Sequence, residues 1–384
     1  MFNGKKGPVN TLLVYILTIV FSVAFIVIGR HFAIQGYPNW DNASADAVKA
    51  RVTDITTVDE VDSGQDIFFT AMLLNTEQKG ETIEVYQSVN TKFYPVQEPV
   101  KEGDRIMVYQ TESGKAPWTM LDYLRFNYII WLGVLFCCGV LIFGRLKGIN
   151  TLLSLIFTCL AVFAVYIPSI LSGQSLYFWT IIVCLYIIVM TMLLINGLDK
   201  KSLCAGLGCF CGVLAAGIIT FIMSRMMNLT GMATEETLYL TMLDLEQPID
   251  LKAIIFGTIT IGALGAVMDV AMDISTSLNE ISQHNPDISR VALIRSGINI
   301  GRDVMGTMAN TLVLAYIGCD LATTLLLAAY NVGLFELMNM ERIINELLNA
   351  LAGSFGILMT LPLTALICSL VYPKKHKAPP PTYY

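Results

Sequence analysis

Hydrophobic residues along this chain fall in long uncharged blocks instead of the short amphipathic repeats of globular helices and strands, and several blocks reach the roughly 20 residues that a helix needs to cross a bilayer. Blocks at 11–28, 127–144, 150–171, 176–197, 203–224, 253–274, 296–318 and 348–372 predict crossings. A further run, 321–335, is about 15 residues, short for a crossing, and predicts a re-entrant or partly buried helix. The first block, "TLLVYILTIVFSVAFIVI", follows Lys5 and Lys6 and ends in Gly29-Arg30-His31 with no small-x-small cleavage site, so it reads as an uncleaved anchor.

Between the first two blocks the pattern changes. "AVKARVTDI", "DIFFTAMLL", "ETIEVYQSV" and "RIMVYQT" alternate, or run β-branched and aromatic, between turn clusters such as Asp62-Ser63-Gly64 and Gly103-Asp104. The expected fold is therefore a polytopic α-helical membrane protein, about eight transmembrane helices plus one re-entrant segment, with a small extracytoplasmic β-rich domain, an OB-like barrel. The segments are an anchor helix (1–30), the β-rich domain (31–122), the transmembrane helical domain (123–373) and a basic, Pro-rich tail (374–384) ending in "APPPTYY". Lys5/Lys6, Arg145/Lys147, Lys200/Lys201, Arg290/Arg295 and Lys374/Lys375/Lys377 fall on one side if eight helices cross, which puts both termini in the cytoplasm and the β-rich domain outside. The segment 226–250 reads as an interfacial helix stopped at Pro248.

Composition agrees with a membrane protein, at 55% hydrophobic and 14% charged residues. The net charge of −6 comes mostly from the β-rich region and loops, and no basic stripe interleaved with aromatics suggests nucleic acid. The nine cysteines lie in or beside apolar blocks, so neither a disulfide framework nor a zinc site is expected, and they read as small packing residues. No nucleophile–base pair, metal cluster or phosphate loop is visible, so neither an enzyme nor a cofactor is predicted.

Carboxylates stand out against this background. In "GAVMDVAMDIS", Asp269 and Asp273 share a helix face with Gly262, Ala266 and Thr276, and in the following block Asn299, Asp303, Gly306 and Asn310 form a similar stripe with Arg302 beside it. The two crossings run antiparallel through one connection. Counting inward at the helical rise sets Asp269 about 7 to 8 Å deep and Arg302 about 9 Å. A charge there is tolerable against a partner, a neighbouring helix or a wet cavity, not against lipid. These residues are proton- or ion-relay candidates, since one carboxylate beside Arg302 can hold its charge while a neighbour exchanges a proton. The competing reading is a buried ion-pair and amide network that only locks two helices. Gly208 and Gly212, continued by Ala216, and Gly297 with Gly301 form small-xxx-small faces suited to close helix packing.

At "GALGAVMDVAMDISTSLNEI", "RSGINIGRDVMGTMANTLVLAYIG" and "GSFGILMTLPLTAL" the chain resembles the YibE/F family of bacterial membrane proteins, in outline over nearly its whole length. That resemblance implies a multi-pass protein of the bacterial plasma membrane. Residues 253–372 are also similar in order to the membrane region of RND transporters and SecD/SecF: an acidic helix, a connecting helix region (277–295), a polar return helix, an outer excursion (319–347) and a last crossing. Carried over, this makes Asp269 and Asp273 proton-relay candidates. The expected function is a transporter or an ion-gradient-coupled envelope protein, with the bilayer, a proton or cation and an unidentified substrate as partners. A homo-oligomer or a paralogous membrane partner is compatible with it. The alternative is a membrane scaffold that recruits partners through its β-rich domain.

Overall fold

The computed structural model describes residues 8–34, 47–61, 64–75, 79–89, 98–111, 116–243, 247–319, 321–330 and 333–372. Contacts divide the chain into two units, 38–143 and 1–37 with 144–384. The sequence boundary at 122/123 thus falls inside the first unit.

In that unit five strands close a barrel: β1 (Val48–Val61), β2 (Gly64–Leu73), β3 (Thr82–Val89), β4 (Arg105–Gln110) and β5 (Trp118–Tyr123), in the order β1-β2-β3-β5-β4. β1 closes it by pairing antiparallel with β2 and, through Val48–Arg51, with β4. Register shifts between Val52 and Asp54 and between Ile55 and Thr57 let this long strand bend. Alternation sends Ile67, Phe69, Ala71 and Leu73 of β2 and Ile83 and Val85 of β3 into one core with Ile106 and Val108 of β4. Gln87 is also buried there, its Oε1 accepting from the Val100 amide at 3.0 Å. The sequence pattern predicted four of these strands. It missed β5, whose residues are nearly all half-buried and so show no alternation.

The helices are α1 (Pro8–Ile34), α2 (Phe126–Ala161), α3 (Ile167–Leu171) after a π turn at Val162–Tyr166, α4 (Leu176–Asn196), α5 (Lys200–Met226), α6 (Glu235–Thr241), α7 (Leu251–His284), α8 (Arg290–Cys319), α9 (Leu321–Ala329), α10 (Leu334–Leu337) and α11 (Glu341–Val371). Six helical segments among the described residues are long and apolar enough to cross a membrane: Leu13–Ala33, Phe126–Leu171, Leu176–Asn196, Lys200–Met226, Leu251–His284 and Glu341–Val371. The second spans 46 residues and breaks at Arg145, whose φ of 48° and ψ of −127° are not helical. α8, read from the sequence as a crossing, is not among the six, because Asn299, Arg302, Asp303 and Asn310 dilute its apolar residues.

The connecting helix region expected at 277–295 is not a separate element. α7 runs on to His284, a short turn follows, and α8 starts at Arg290. Asn285 ends α7 with φ −128° and ψ 82°, as a residue before proline must leave the helical region. The run at 321–335 forms the short helices α9 and α10, and the segment 226–250 contains the short helix α6.

Small residues organise the helical unit. α5 and α11 run antiparallel along one seam: Cys204 meets Cys368, a Cβ on Gly208 would strike Thr364, one on Gly212 would strike Thr360, and Ala216 meets Gly356. α7 packs beside this seam, with Val267 against Gly212 and Gly356, and Ala263 against Gly353. At one end Ser275 of α7 donates to the Lys201 carbonyl at 2.7 Å and shares a 2.6 Å hydrogen bond with Tyr372, the residue just past α11. At the other end Glu341 accepts from the amides of Thr230 and Gly231, both at 2.7 Å, and from the Thr230 hydroxyl at 2.8 Å.

Candidate functional site

The site is built on α7 and α8. Asp250 caps α7 by accepting from the amides of Lys252 and Ala253 at 3.0 and 3.2 Å, which starts the helix in a register that buries Ile259, Ala263, Val267, Val270, Ile274 and Leu278. The opposite face then carries Thr258, Gly262, Gly265, Asp269, Asp273 and Glu280, all exposed. α8 is laid along α7 by Leu278 against Gly297 and, near its other end, by the Tyr316 hydroxyl, which sits 2.7 Å from where a Cβ on Gly262 would lie. Those two contacts bracket all six relay candidates: Asp269 and Asp273 on α7, and Asn299, Arg302, Asp303 and Asn310 on α8.

All six side chains are exposed. Among the described residues no hydrogen bond or ion pair joins Asp269, Asp273 or Asp303 to Arg302. The two helices are thus brought together, while the confrontation of Asp269 with Arg302 expected from counting depths is not a bonded contact. Glycine leaves room on the same face. A Cβ added at Gly265 or Gly306 would meet nothing within 4 Å.

What sets this face apart is its lack of grease. No large exposed hydrophobic residue lies on α7, and on α8 only Val291, Leu314 and Ile317, towards its ends, are of that kind. By contrast α5 exposes Leu203, Leu207, Ile218, Phe221, Ile222 and Met226, and α11 exposes Leu347, Leu351, Leu358, Leu366 and Leu370. Holding even one carboxylate against hydrocarbon costs about 2.5–3.5 kcal/mol on insertion scales, so a face with three carboxylates and one guanidinium is built for water or a polar partner.

The glycines read as packing faces lie elsewhere. Gly208 and Gly212 are buried on α5 against Thr364 and Thr360 of α11, and Gly297 and Gly301 are buried on α8 against Ala365 and Leu361 of the same helix. α11 is the common partner of both pairs. Sequence reasoning missed three of its other residues, Asn345, Glu346 and Asn349. The four-residue spacing of the two asparagines was the available signal, masked by the apolar residues around them.

The barrel offers a second candidate, a cleft of about 470 Å³ lined in part by Glu98, Lys101, Asp104, Asp122, Tyr123 and Arg125. Two ion pairs line it, Lys101 with Glu98 at 3.3 Å and Arg125 with Asp122 at 2.7 Å, and Asp104 accepts from the Lys101 amide at 2.8 Å. The Arg125 guanidinium holds the Asp122 carboxyl below the usual carboxylate range, and burial pushes the Tyr123 phenol up.

Residues 132–374 match the family model described as YibE/F-like protein. No curated protein and no solved structure matches the chain.

Proposed function

We propose, from the premise that this chain belongs to the YibE/F-like protein family, that it is a membrane transporter or ion-gradient-coupled envelope protein whose working part is the exposed polar face of α7 and α8. One observation carries the reading. Among helices that otherwise show apolar side chains outward, this pair shows Asp269, Asp273, Asn299, Arg302, Asp303 and Asn310. Acids spaced one turn apart, amides and open glycine positions are what a proton or small cation needs to pass from one group to the next along a wet seam. Arg302 is a fixed positive charge on that path and prevents all three carboxylates from acting alike.

On this reading α8 is a crossing despite its polarity and the 46-residue segment broken at Arg145 crosses twice, so the helix count is eight, and the basic loops put both termini on the cytoplasmic side of a bacterial plasma membrane. The barrel, read as OB-like from its strand order and parallel β3–β5 pair, then stands outside and supplies contacts, not catalysis. The scaffold reading draws on the two ion pairs of the barrel cleft and assigns the polar face to a protein partner.

Proton flux into liposomes, reported by an entrapped pH dye, separates the two. Asp269→Asn should abolish a flux that the unaltered protein supports, with yield and unfolding temperature unchanged. Identical traces from the two proteins would remove the transport reading.

A further inference from the structure

The crevice between α4 and α5 is apolar along its length and polar at one end. It is a groove of about 320 Å³, and of the residues lining it only Asp199, Lys200 and Ser202 carry polar side chains, all at the start of α5. Leu185, Val189, Leu193 and Leu207 typify the rest, and Gly206 sets no side chain across it. From Lys200 to Phe210, the farthest residue of α5 in the lining, the helix rises about 15 Å, which is the depth of one leaflet in a hydrocarbon core about 30 Å thick. The polar end suits an anion. Ser202 is only 5% exposed and its Oγ has no hydrogen-bond partner among the described residues, although buried hydroxyls are nearly always bonded. The amides of Lys200, Lys201 and Ser202 open a 27-residue helix, and the Asp199 side chain makes no capping hydrogen bond to them, so these N–H groups and the helix dipole favour a negative group here. Lys200 is exposed beside them and enters no ion pair among the described residues. With Lys201 next along, the mouth keeps a positive surplus over the single Asp199 carboxylate.

We infer that this groove binds an anionic phospholipid, with one acyl chain lying between α4 and α5 and the phosphodiester held by the first amides of α5, the Ser202 hydroxyl and the Lys200 ammonium. Two features choose this occupant. A soluble anion would use the polar end and leave the trough uncovered, whereas a neutral lipid would fill the trough and leave the amides and Ser202 unpaired. An amphiphile with its negative charge at the head satisfies both. Basic pockets between crossing helices are a known setting for such head groups. The inference does not rest on transport, because the site lies on α4 and α5 and uses no residue of the α7–α8 face.

Thermal unfolding of the purified, delipidated full-length protein in detergent, followed by intrinsic fluorescence, is measured against three additives. These are dioleoyl phosphatidylglycerol, dioleoylglycerol, which has the same chains without the phosphate, and glycerol phosphate, which has the phosphate without the chains. A saturable rise in unfolding temperature with the phospholipid alone is expected. Lys200→Gln should raise the half-saturating phospholipid concentration by about fivefold. Ser202→Ala should raise it too, yet should also raise the unfolding temperature of the lipid-free protein, since it removes a buried hydroxyl that has no partner there. Lys252→Gln, at the start of α7, and Asp269→Asn should leave the titration unchanged, so a failure of the α7–α8 relay and a failure of this site give different results. An equal response to dioleoylglycerol or a response to glycerol phosphate alone would overturn the assignment, as would equal titrations for Lys200→Gln and Lys252→Gln.

Discussion

Gly208 and Gly206 lie two residues apart on α5, and adding one methyl group to each should have opposite effects. At Gly208 the new Cβ would lie 2.8 Å from the Thr364 Cβ and 3.1 Å from the Thr364 Cα, so part of the obstacle is backbone and no side-chain rotation clears it. At Gly206 the nearest atoms are Ile188 Cγ2 and Met192 Cγ at 3.7 and 3.8 Å, an ordinary contact. Forcing a methylene into a packed interior costs about 1–3 kcal/mol. Replacing a mid-helix glycine by alanine returns about 1 kcal/mol of helix propensity. Because the α5–α11 contact cannot yield locally, Gly208→Ala should sit at the upper end and lose about 1–2 kcal/mol net, while Gly206→Ala should gain about 1 kcal/mol. At roughly 2–4 °C per kcal/mol, the unfolding temperatures should move by about 2–8 °C down and about 2–4 °C up. A thermal scan of the purified variants in one detergent at one heating rate reads both. If Gly208→Ala unfolds with the unaltered protein, or if Gly206→Ala falls as far as Gly208→Ala, the close approach of α5 and α11 is wrong.

Glu341→Ala removes the acceptor of three hydrogen bonds from Thr230 and Gly231, and should cost about 1–3 kcal/mol and open the 227–233 loop to protease first, as timed digestion would register. Gly231→Ala should be worse than a typical loop substitution, because its φ is +87° and a Cβ would lie 2.7 Å from the Leu251 carbonyl carbon; expression and unfolding temperature test this. In the barrel, the lowered carboxyl of Asp122 contributes stability that is present above the ordinary carboxylate pKa and is lost as pH falls through its lower folded value. Arg125→Gln should bring the Asp122 titration back up towards the ordinary value, followed by carboxyl carbon NMR, and an unchanged midpoint would exclude the ion pair as its cause.

The parts of this protein that were legible in the sequence were those set by one-dimensional pattern. Long apolar blocks mark the helices, since a bilayer demands length before anything else, and the alternation of Ile67, Phe69, Ala71 and Leu73 marks a strand with one face inward. The stripe of Asp269 and Asp273 was legible for the same reason, because helical period alone fixes which residues share a face. β5 was not, since "WTMLDY" is partly wet on both faces. Whether Asp269 and Arg302 touch depends on how far each helix rotates about its own axis. That rotation is decided by third-party contacts such as Gly301 with Leu361 and Gly353 with Leu312, which no count along the chain reveals. The glycines of α5 announced a close neighbour without saying which helix it was.

The α5–α11 seam has a vernier built into it. Shifting α11 by four residues, about 6 Å along the axis, in one direction would bring Thr364 to Cys204, Thr360 to Gly208, Gly356 to Gly212 and Ala352 to Ala216, so every rung would still join two small side chains. The reverse shift would instead set the bulky Tyr372 level with Cys204, a rung with one large side chain. A covalent bond between the sulfurs of Cys204 and Cys368 would fix the two helices in their present register.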